Sequence, residues 1–297
     1  MRVVVTGATS MLGVALIKEC IENKNTVLAI VREGSSRLAR LPESEYLQVE
    51  YADLDGLDSF QGDGTPYDVF YHFAWGHTNK AERDYPLAQE DNIRTTLKAV
   101  ELANKLGCKR FVGAGSQAEY GGCEGIISEE TVPHPVTSYG IAKYSANMLS
   151  KRMCEQLGIK HIWARIFSVY GCYDNEGTMI NYGIDKFLKG EEANFSAGLQ
   201  TWNYLFESDA GRMFYLLGSK DIDAGIYHVA GNESKPLRQF IESISNQFVN
   251  AKCNFAEPGD TVVYGIEPDT KKSYSNLGFT PAVSFEEGIK KVIEFRR

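Results

Sequence analysis

Apolar residues follow two alternating rhythms over the first half of the chain. Short, nearly unbroken runs, such as Val3-Val4-Val5 and Val27 to Val31, are separated by longer stretches with apolar positions three or four residues apart. A strand covered on both faces reads as continuous apolar sequence, whereas a helix buried along one side reads with the helical period. The runs predict strands at Arg2–Val5, Thr26–Val31, Leu47–Tyr51, Asp68–His72, Arg110–Gly113 and His161–Ile166. Helices are predicted between them, at Leu12–Asn23, Pro86–Leu106 and Ser138–Gln156. Alternating β and α elements with doubly buried strands predict a doubly wound, parallel α/β fold. Beyond about Tyr170 the rhythm weakens. Gly, Asn and Asp gather at Tyr173–Gly177, and helical patterns recur near Ile180–Lys189, Ser208–Leu217, Leu237–Val249 and Phe285–Phe295. A strand-like run, Gly225–Val229, lies among them. The expectation is a first domain over residues 1–170 and a smaller, irregular lobe over 171–297. The two are partly interleaved, and segments near 204–230 are candidates to rejoin the first.

Composition narrows the function classes. A chain of 297 residues suits one large domain, or one domain with a lobe. Lys+Arg number 31 against 39 Asp+Glu, a net charge of −8, without the basic excess that nucleic-acid binding needs. The longest apolar runs are too short to span a bilayer. Met1-Arg2 lead straight into a strand with no apolar leader, so a cytoplasmic enzyme is expected. Cys20, Cys108, Cys123, Cys154, Cys172 and Cys253 are scattered, with no C-x-x-C pair, and read as reduced thiols. The five histidines show no H-E-x-x-H spacing, and no metal site is expected.

The segment Arg2 to Gly13 is a strand, a tight turn and a helix start. Gly7 lets the backbone turn, and Ala8, Thr9 and Ser10 are small enough for a pyrophosphate to approach. Gly13 lets the helix pack close to the sheet. The exposed N–H groups at the helix start, around Met11 and Leu12, favour an anion. In this context the pattern predicts a phosphate-binding turn of a Rossmann-type sheet rather than an ordinary βα turn. After the second strand an acidic residue would read the ribose of NAD. Here the sequence is Val31-Arg32-Glu33-Gly34-Ser35-Ser36-Arg37, with Glu33 one place beyond that position. Arg32, Ser35 and Arg37 form a site for a 2′-phosphate, which favours NADP(H), with NAD(H) the alternative.

Tyr139-Gly140-Ile141-Ala142-Lys143 places a phenol and an ammonium four residues apart, on one face of a helix. A neighbouring cation lowers a phenol's pKa, and such a Tyr can pass a proton to or from a carbinol oxygen while hydride moves at the carbon. Ser116 closes the strand Phe111-Val112-Gly113-Ala114-Gly115-Ser116, where its hydroxyl could hold the same oxygen.

Together these features resemble the extended short-chain dehydrogenase/reductases, the NAD(P)-dependent epimerase/dehydratase family acting on nucleotide-activated sugars. The resemblance runs along the whole chain: Thr6–Gly13, Asp53-Leu54, His72-Phe73-Ala74, Asn92, Ser116 to Gly121, Tyr139 to Lys143, Arg165 to Gly171, Asp209-Ala210 and Leu277 to Pro281. It implies Ser116, Tyr139 and Lys143 as the catalytic set. Asp53 and Leu54 would meet the adenine, and Phe73, Ala74 and Trp75 would line the cofactor and substrate. Asn92, Ala114, Ile166 and Ser168 complete the implied cofactor site. Trp75, Gln117, Ser168 and Trp202 join Ser116 and Tyr139 as implied substrate contacts, with His77 a weaker candidate by position. The helices around Asn92–Leu106 and Ser138–Gln156 would pair two copies into a homodimer.

Departures from the family pattern narrow the reaction. Dehydratases carry Asp-Glu directly after the catalytic hydroxyl, where this chain has Gln117-Ala118. Epimerase-reductases carry Cys two residues after the serine, and Ala118 stands there. Redox at one carbon remains: reduction of a ketone, which the resemblance places at C4 of a deoxy sugar, or epimerisation through a transient ketone. A non-catalytic dinucleotide sensor is a further alternative. The arginines favour reduction with NADPH. Two expected cationic contacts to a nucleotide diphosphate are replaced, by Trp202-Asn203 and by Glu257 before Gly259-Asp260, and Ser168 replaces an expected Asn.

Overall fold

The computed structural model describes residues 1–79, 81–259 and 264–297. Seven parallel strands form the central sheet: β1 (Arg2–Thr6), β2 (Thr26–Val31), β3 (Leu47–Tyr51), β4 (Val69–His72), β5 (Arg110–Ser116), β6 (Lys160–Ile166) and β10 (Gly225–Val229). Their order is β10-β6-β5-β4-β1-β2-β3, so the winding reverses between β1 and β4. In a sheet of this kind the crevice above that reversal is where ligands bind. Helices α1 (Met11–Glu22) and α5 (Glu207–Ser219) cover one face, and α2 (Pro86–Lys105) and α3 (Ser138–Leu157) pack together over the other.

The unbroken apolar runs now have their explanation. Val3 and Val5 point into the core under α1 and α5, with Leu16, Ile17, Met213 and Phe214. Val4, between them, joins Phe70, Val100 and Phe111 in the core on the α2 side. Alternate residues of one strand thus fill two separate cores.

The other elements are β7 (Ser168–Tyr170), α4 (Met179–Leu188), β8 (Ala193–Phe195), β9 (Thr201–Phe206), β11 (Ser234–Pro236), α6 (Leu237–Ser245), β12 (Cys253–Phe255), α7 (Lys271–Leu277) and α8 (Phe285–Arg296). A small sheet, β11-β9-β7, and a pair, β12-β8, pack with α4, α6 and α8 around Tyr170, Ile184, Phe240, Phe285 and Ile289. The strand-like run at Gly225–Val229 does not stay with these elements: it pairs in register with Ile162–Ile166 as the edge of the main sheet. The helix read at Leu237–Val249 stops at Ser245, where bonds shorten to Gln247 N–H on Ile244 and Phe248 N–H on Ser245. The strand read at Arg110–Gly113 extends through Ser116. Its glycines leave room for Trp163 of β6: a Cβ on Gly115 would lie 2.3 Å from the indole nitrogen. Among the described residues no helix is long and apolar enough to cross a membrane.

Candidate active site

The turn after β1 has the shape a dinucleotide needs. Gly7 lies in the left-handed region at φ +69°, and a Cβ there would come within 2.6 Å of Ala74 N, so the β1 turn and the loop after β4 meet backbone to backbone. Ser10 caps α1, its hydroxyl accepting from Gly13 N–H at 3.0 Å. The N–H groups of Met11 and Leu12, in the first turn, have no acceptor within the helix and are free for a phosphate. These features fit the cofactor.

Ser116, buried at the carboxyl end of β5, sits on a reciprocal cap. Its hydroxyl accepts from Ala118 N–H at 3.1 Å, and its own N–H donates to Glu119 Oε1 at 2.8 Å. Glu119 is fully buried, and three donors hold it. The second is Trp163 Nε1 at 2.8 Å to Oε1, and the third is Arg165 Nε at 2.9 Å to Oε2. The Arg165 guanidinium lies over the Tyr120 ring at 4.3 Å, and the Tyr120 hydroxyl meets His228 Nε2 at 2.6 Å. The serine's backbone is therefore built on an ionic and aromatic core. Sequence reading assigned Glu119 no role, although S-x-x-E is itself a capping signature.

Tyr139 opens α3, which Thr137 caps through Gly140 N–H at 3.1 Å. Its ring is half-buried, edge-on to Trp75 with centroids 6.0 Å apart. Lys143, buried one turn on, donates to the Ala114 carbonyl at 2.7 Å and lies 3.5 Å from the Trp75 ring centroid. Burial pulls the Lys143 ammonium down to about 7. The Glu119 carboxylate acts upward on it and Arg83 downward. The phenol differs from expectation. Burial raises the Tyr139 pKa, and the groups that draw it back are the Arg83 guanidinium and the Ser116 hydroxyl rather than Lys143. Lys143 is turned toward β5 and Trp75, its Nζ 5.9 Å from the Tyr139 ring centroid, whereas the Arg83 guanidinium stacks at 4.2 Å. Arg83 has no periodic or motif signal in the sequence.

The remaining candidates divide into those near this centre and those that frame it. Ile166 is in register with Ser116, and Phe73, Ala74 and Trp75 follow β4 directly over the Gly7 turn. Gln117 is half-buried in the turn after Ser116. Buried Asn92 grips the loop, accepting from Gly76 N–H at 2.6 Å and donating to Gly76 O at 3.2 Å, and Trp75 Nε1 donates to Gln89 Oε1 at 3.1 Å. Arg32 and Arg37 are exposed after β2, and the Ser35 hydroxyl accepts from Arg37 N–H at 3.4 Å. Arg40, a third arginine that sequence reading passed over, stacks on the Tyr173 ring at 4.6 Å. Asp53 is exposed at the start of a short turn after β3, and Leu54 packs on the α2-side core. Ser168 lies in β7 opposite Tyr204.

Trp202 is half-buried between the lobe core and the cluster of Tyr120 and Phe167. Asn203 is a buried clamp whose side chain donates to Gly231 O at 3.0 Å and accepts from Gly231 N–H at 2.7 Å. It is spent on the fold. His77 sits between Glu82 at 3.4 Å and Asp91 at 3.8 Å. Glu257 is exposed, and Asp260 lies outside the described residues. All six cysteines are free, and no cluster of metal-binding side chains occurs among the described residues.

Residues 3–230 match the model of the NAD dependent epimerase/dehydratase family. The chain belongs to that family. Its members are enzymes, which sets aside the non-catalytic sensor. A putative UDP-glucose 4-epimerase from Methanocaldococcus jannaschii is 25% identical over 307 residues, covering 99% of this chain and 98% of the relative. The dTDP-4-dehydro-6-deoxyglucose reductase of Escherichia coli is 24% identical over 310 residues, covering 98% and 96%. Among solved structures, the UDP-N-acetylglucosamine 4-epimerase from Methanobrevibacter ruminantium M1, in complex with UDP-N-acetylmuramic acid, superposes with a TM-score of 0.88. It is 21% identical over 99% of this chain and 97% of its own. At that identity the likeness speaks for the fold. The Rossmann-like sheet is thus common to this family member and a solved epimerase.

Proposed function

We propose that this enzyme reduces a keto group, at C4, of a nucleotide-activated deoxy sugar with NADPH. The observation that carries the reading is the convergence of Ser116, Tyr139 and Lys143 at the carboxyl edge of β5, beside the crevice where the sheet reverses. In the step we derive, the ketone oxygen lies between the Ser116 hydroxyl and the Tyr139 phenol. The phenol gives up its proton as the carbon is reduced, and the serine hydroxyl polarises the carbonyl. Lys143, already anchored on Ala114 O, has donors left for the ribose hydroxyls of the cofactor. The nicotinamide, when bound, supplies the hydride. Residues 1–170, with the interleaved α5 and β10, hold the dinucleotide, and the rest of 171–297 the nucleotide sugar. Gln117-Ala118, where the dehydratases carry an acidic pair, offer neither acid nor base, which speaks against elimination of water. Trp75, Gln117, Ser168 and Trp202 are the proposed sugar contacts, and paired α2–α3 faces the proposed dimer contact.

A second reading has its own support. The same phenol can take a proton as readily as give one, and full-length relatives include a putative 4-epimerase. Purified enzyme incubated with NADPH and dTDP-4-dehydro-6-deoxyglucose separates the two. We expect loss of NADPH absorbance matching product, and a fall of about two to four orders of magnitude in Tyr139→Phe, with NADPH still bound. Interconversion of UDP-glucose and UDP-galactose without net NADPH consumption would replace reduction by epimerisation.

A further inference from the structure

We infer that Arg83 is a positioning residue for proton transfer: its guanidinium, stacked on the Tyr139 ring, holds a fixed positive charge beside the phenol in addition to that of Lys143. The inference rests on Tyr139 as the proton-carrying group. Arg83 lies in the loop between β4 and α2, and its guanidinium carbon is 4.2 Å from the Tyr139 ring centroid. The loop is tied to the catalytic helix at the next residue. Ser138 N–H donates to Asp84 Oδ1 at 2.7 Å, and the Ser138 hydroxyl donates to Asp84 O at 3.0 Å. Ser138 is the first residue of α3 and the neighbour of Tyr139. The preceding turn is equally tied: Arg83 N–H donates to Asn79 O at 2.9 Å, and Gln89 of α2 donates to Glu82 O at 3.2 Å and to His77 O at 2.9 Å. An exposed arginine is thus delivered to one place by bonds on both sides of it.

The nearby carboxylates are occupied elsewhere. Glu82 faces His77 and Asn79, Asp84 is bonded to Ser138, and Asp91 pairs with Arg94 at 2.9 Å. The groups around the phenol are Arg83 from the loop, Ser116 from β5, Glu119 from the turn after it, Trp75 from the β4 loop and Lys143 from α3. Glu119 acts against ionisation, and Ser116 and Arg83 favour it. A cation on the ring favours phenolate over phenol. A guanidinium stays charged across the working range.

The test needs no substrate, so it can fail independently of the proposed reaction. A ring-fluorinated tyrosine is placed at position 139 of the full chain, and its fluorine resonance is followed against pH. In Arg83→Gln the midpoint should rise by roughly half to one pH unit, about three- to tenfold in proton affinity. Arg83→Lys should recover part of the shift. Asp84→Ala, which keeps the cation but releases the loop, should move the midpoint the same way. A midpoint in Arg83→Gln within about a tenth of a pH unit of the parent protein would overturn the inference. An unmoved Asp84→Ala would overturn the tether.

Discussion

Arg32, Arg37 and Arg40 show how little one side chain's type reveals without its surroundings. All three follow β2 within a few residues. Arg40 is half-buried and spent on Tyr173, whereas Arg32 and Arg37 stand exposed, free for the 2′-phosphate of the proposed NADPH. Charge-assisted bonds to a phosphate contribute about 1.5–3 kcal/mol each. The double variant Arg32→Ala, Arg37→Ala should therefore bind NADPH about a hundredfold or more weakly, with NADH affinity nearly unchanged. Fluorescence titration with both cofactors checks this, and equal losses would remove the 2′-phosphate assignment. Glu119 teaches the converse lesson. It looks like an ordinary loop acid in the sequence, yet it is fully buried and joins Ser116, Trp163 and Arg165.

At the level of elements, the proposed dimer face lies opposite the face that α2 and α3 pack on the sheet. Their inner faces pack on the sheet through Ala99, Val100, Ala103 and Cys154. On the outer face of α3, Ile141, Met148 and Leu149 are about half exposed, at 50%, 49% and 49%. These positions are seven and eight residues apart, which places them on one stripe of the helix. Such a stripe fits a second copy of the same helix by two-fold symmetry. Light scattering at micromolar concentration should return a dimer, and Met148→Glu with Leu149→Glu should return a monomer of unchanged helix content. A monomeric parent protein would exclude the paired-helix arrangement.

Across the whole molecule, three buried histidines weaken the fold in acid, opposed by Asp174, whose carboxyl burial raises to about 6. His72 sits between Thr6 and Thr96, His161 bonds Ser150, and His228 lies between Tyr120 and Asp269 O. Burial lowers them to about 3, about 4 and about 4. The folded protein keeps them neutral, while the unfolded chain takes up protons near the ordinary value of 6.5. Between these limits the unfolded state binds more protons, so stability falls as pH falls through 6.5 and continues to fall toward 4. From pH 7 to 5.5 each histidine should cost roughly 1 kcal/mol. Urea midpoints across that range check it: His161→Gln should flatten the slope, and an unchanged slope would mean that His161 charges freely when folded.

Whatever depends on neighbours along the chain was legible before folding. Doubly apolar runs became the core strands β1 and β2, which are buried on both faces, and Gly7, Ser10 and Thr137 shaped turns and helix starts through bonds a few residues long. The Ser116, Tyr139 and Lys143 set was legible for the same reason, as a strand end and one turn of helix. Folding alone lays Arg83 over the phenol, because the loop carrying it and the helix carrying Tyr139 meet through the packing of α2 on α3 and the bonds between Asp84 and Ser138. It likewise placed β10 beside β6 and turned Asn203 into a clamp for Gly231. Such contacts join residues far apart in sequence, where no local period, cap or turn propensity records them.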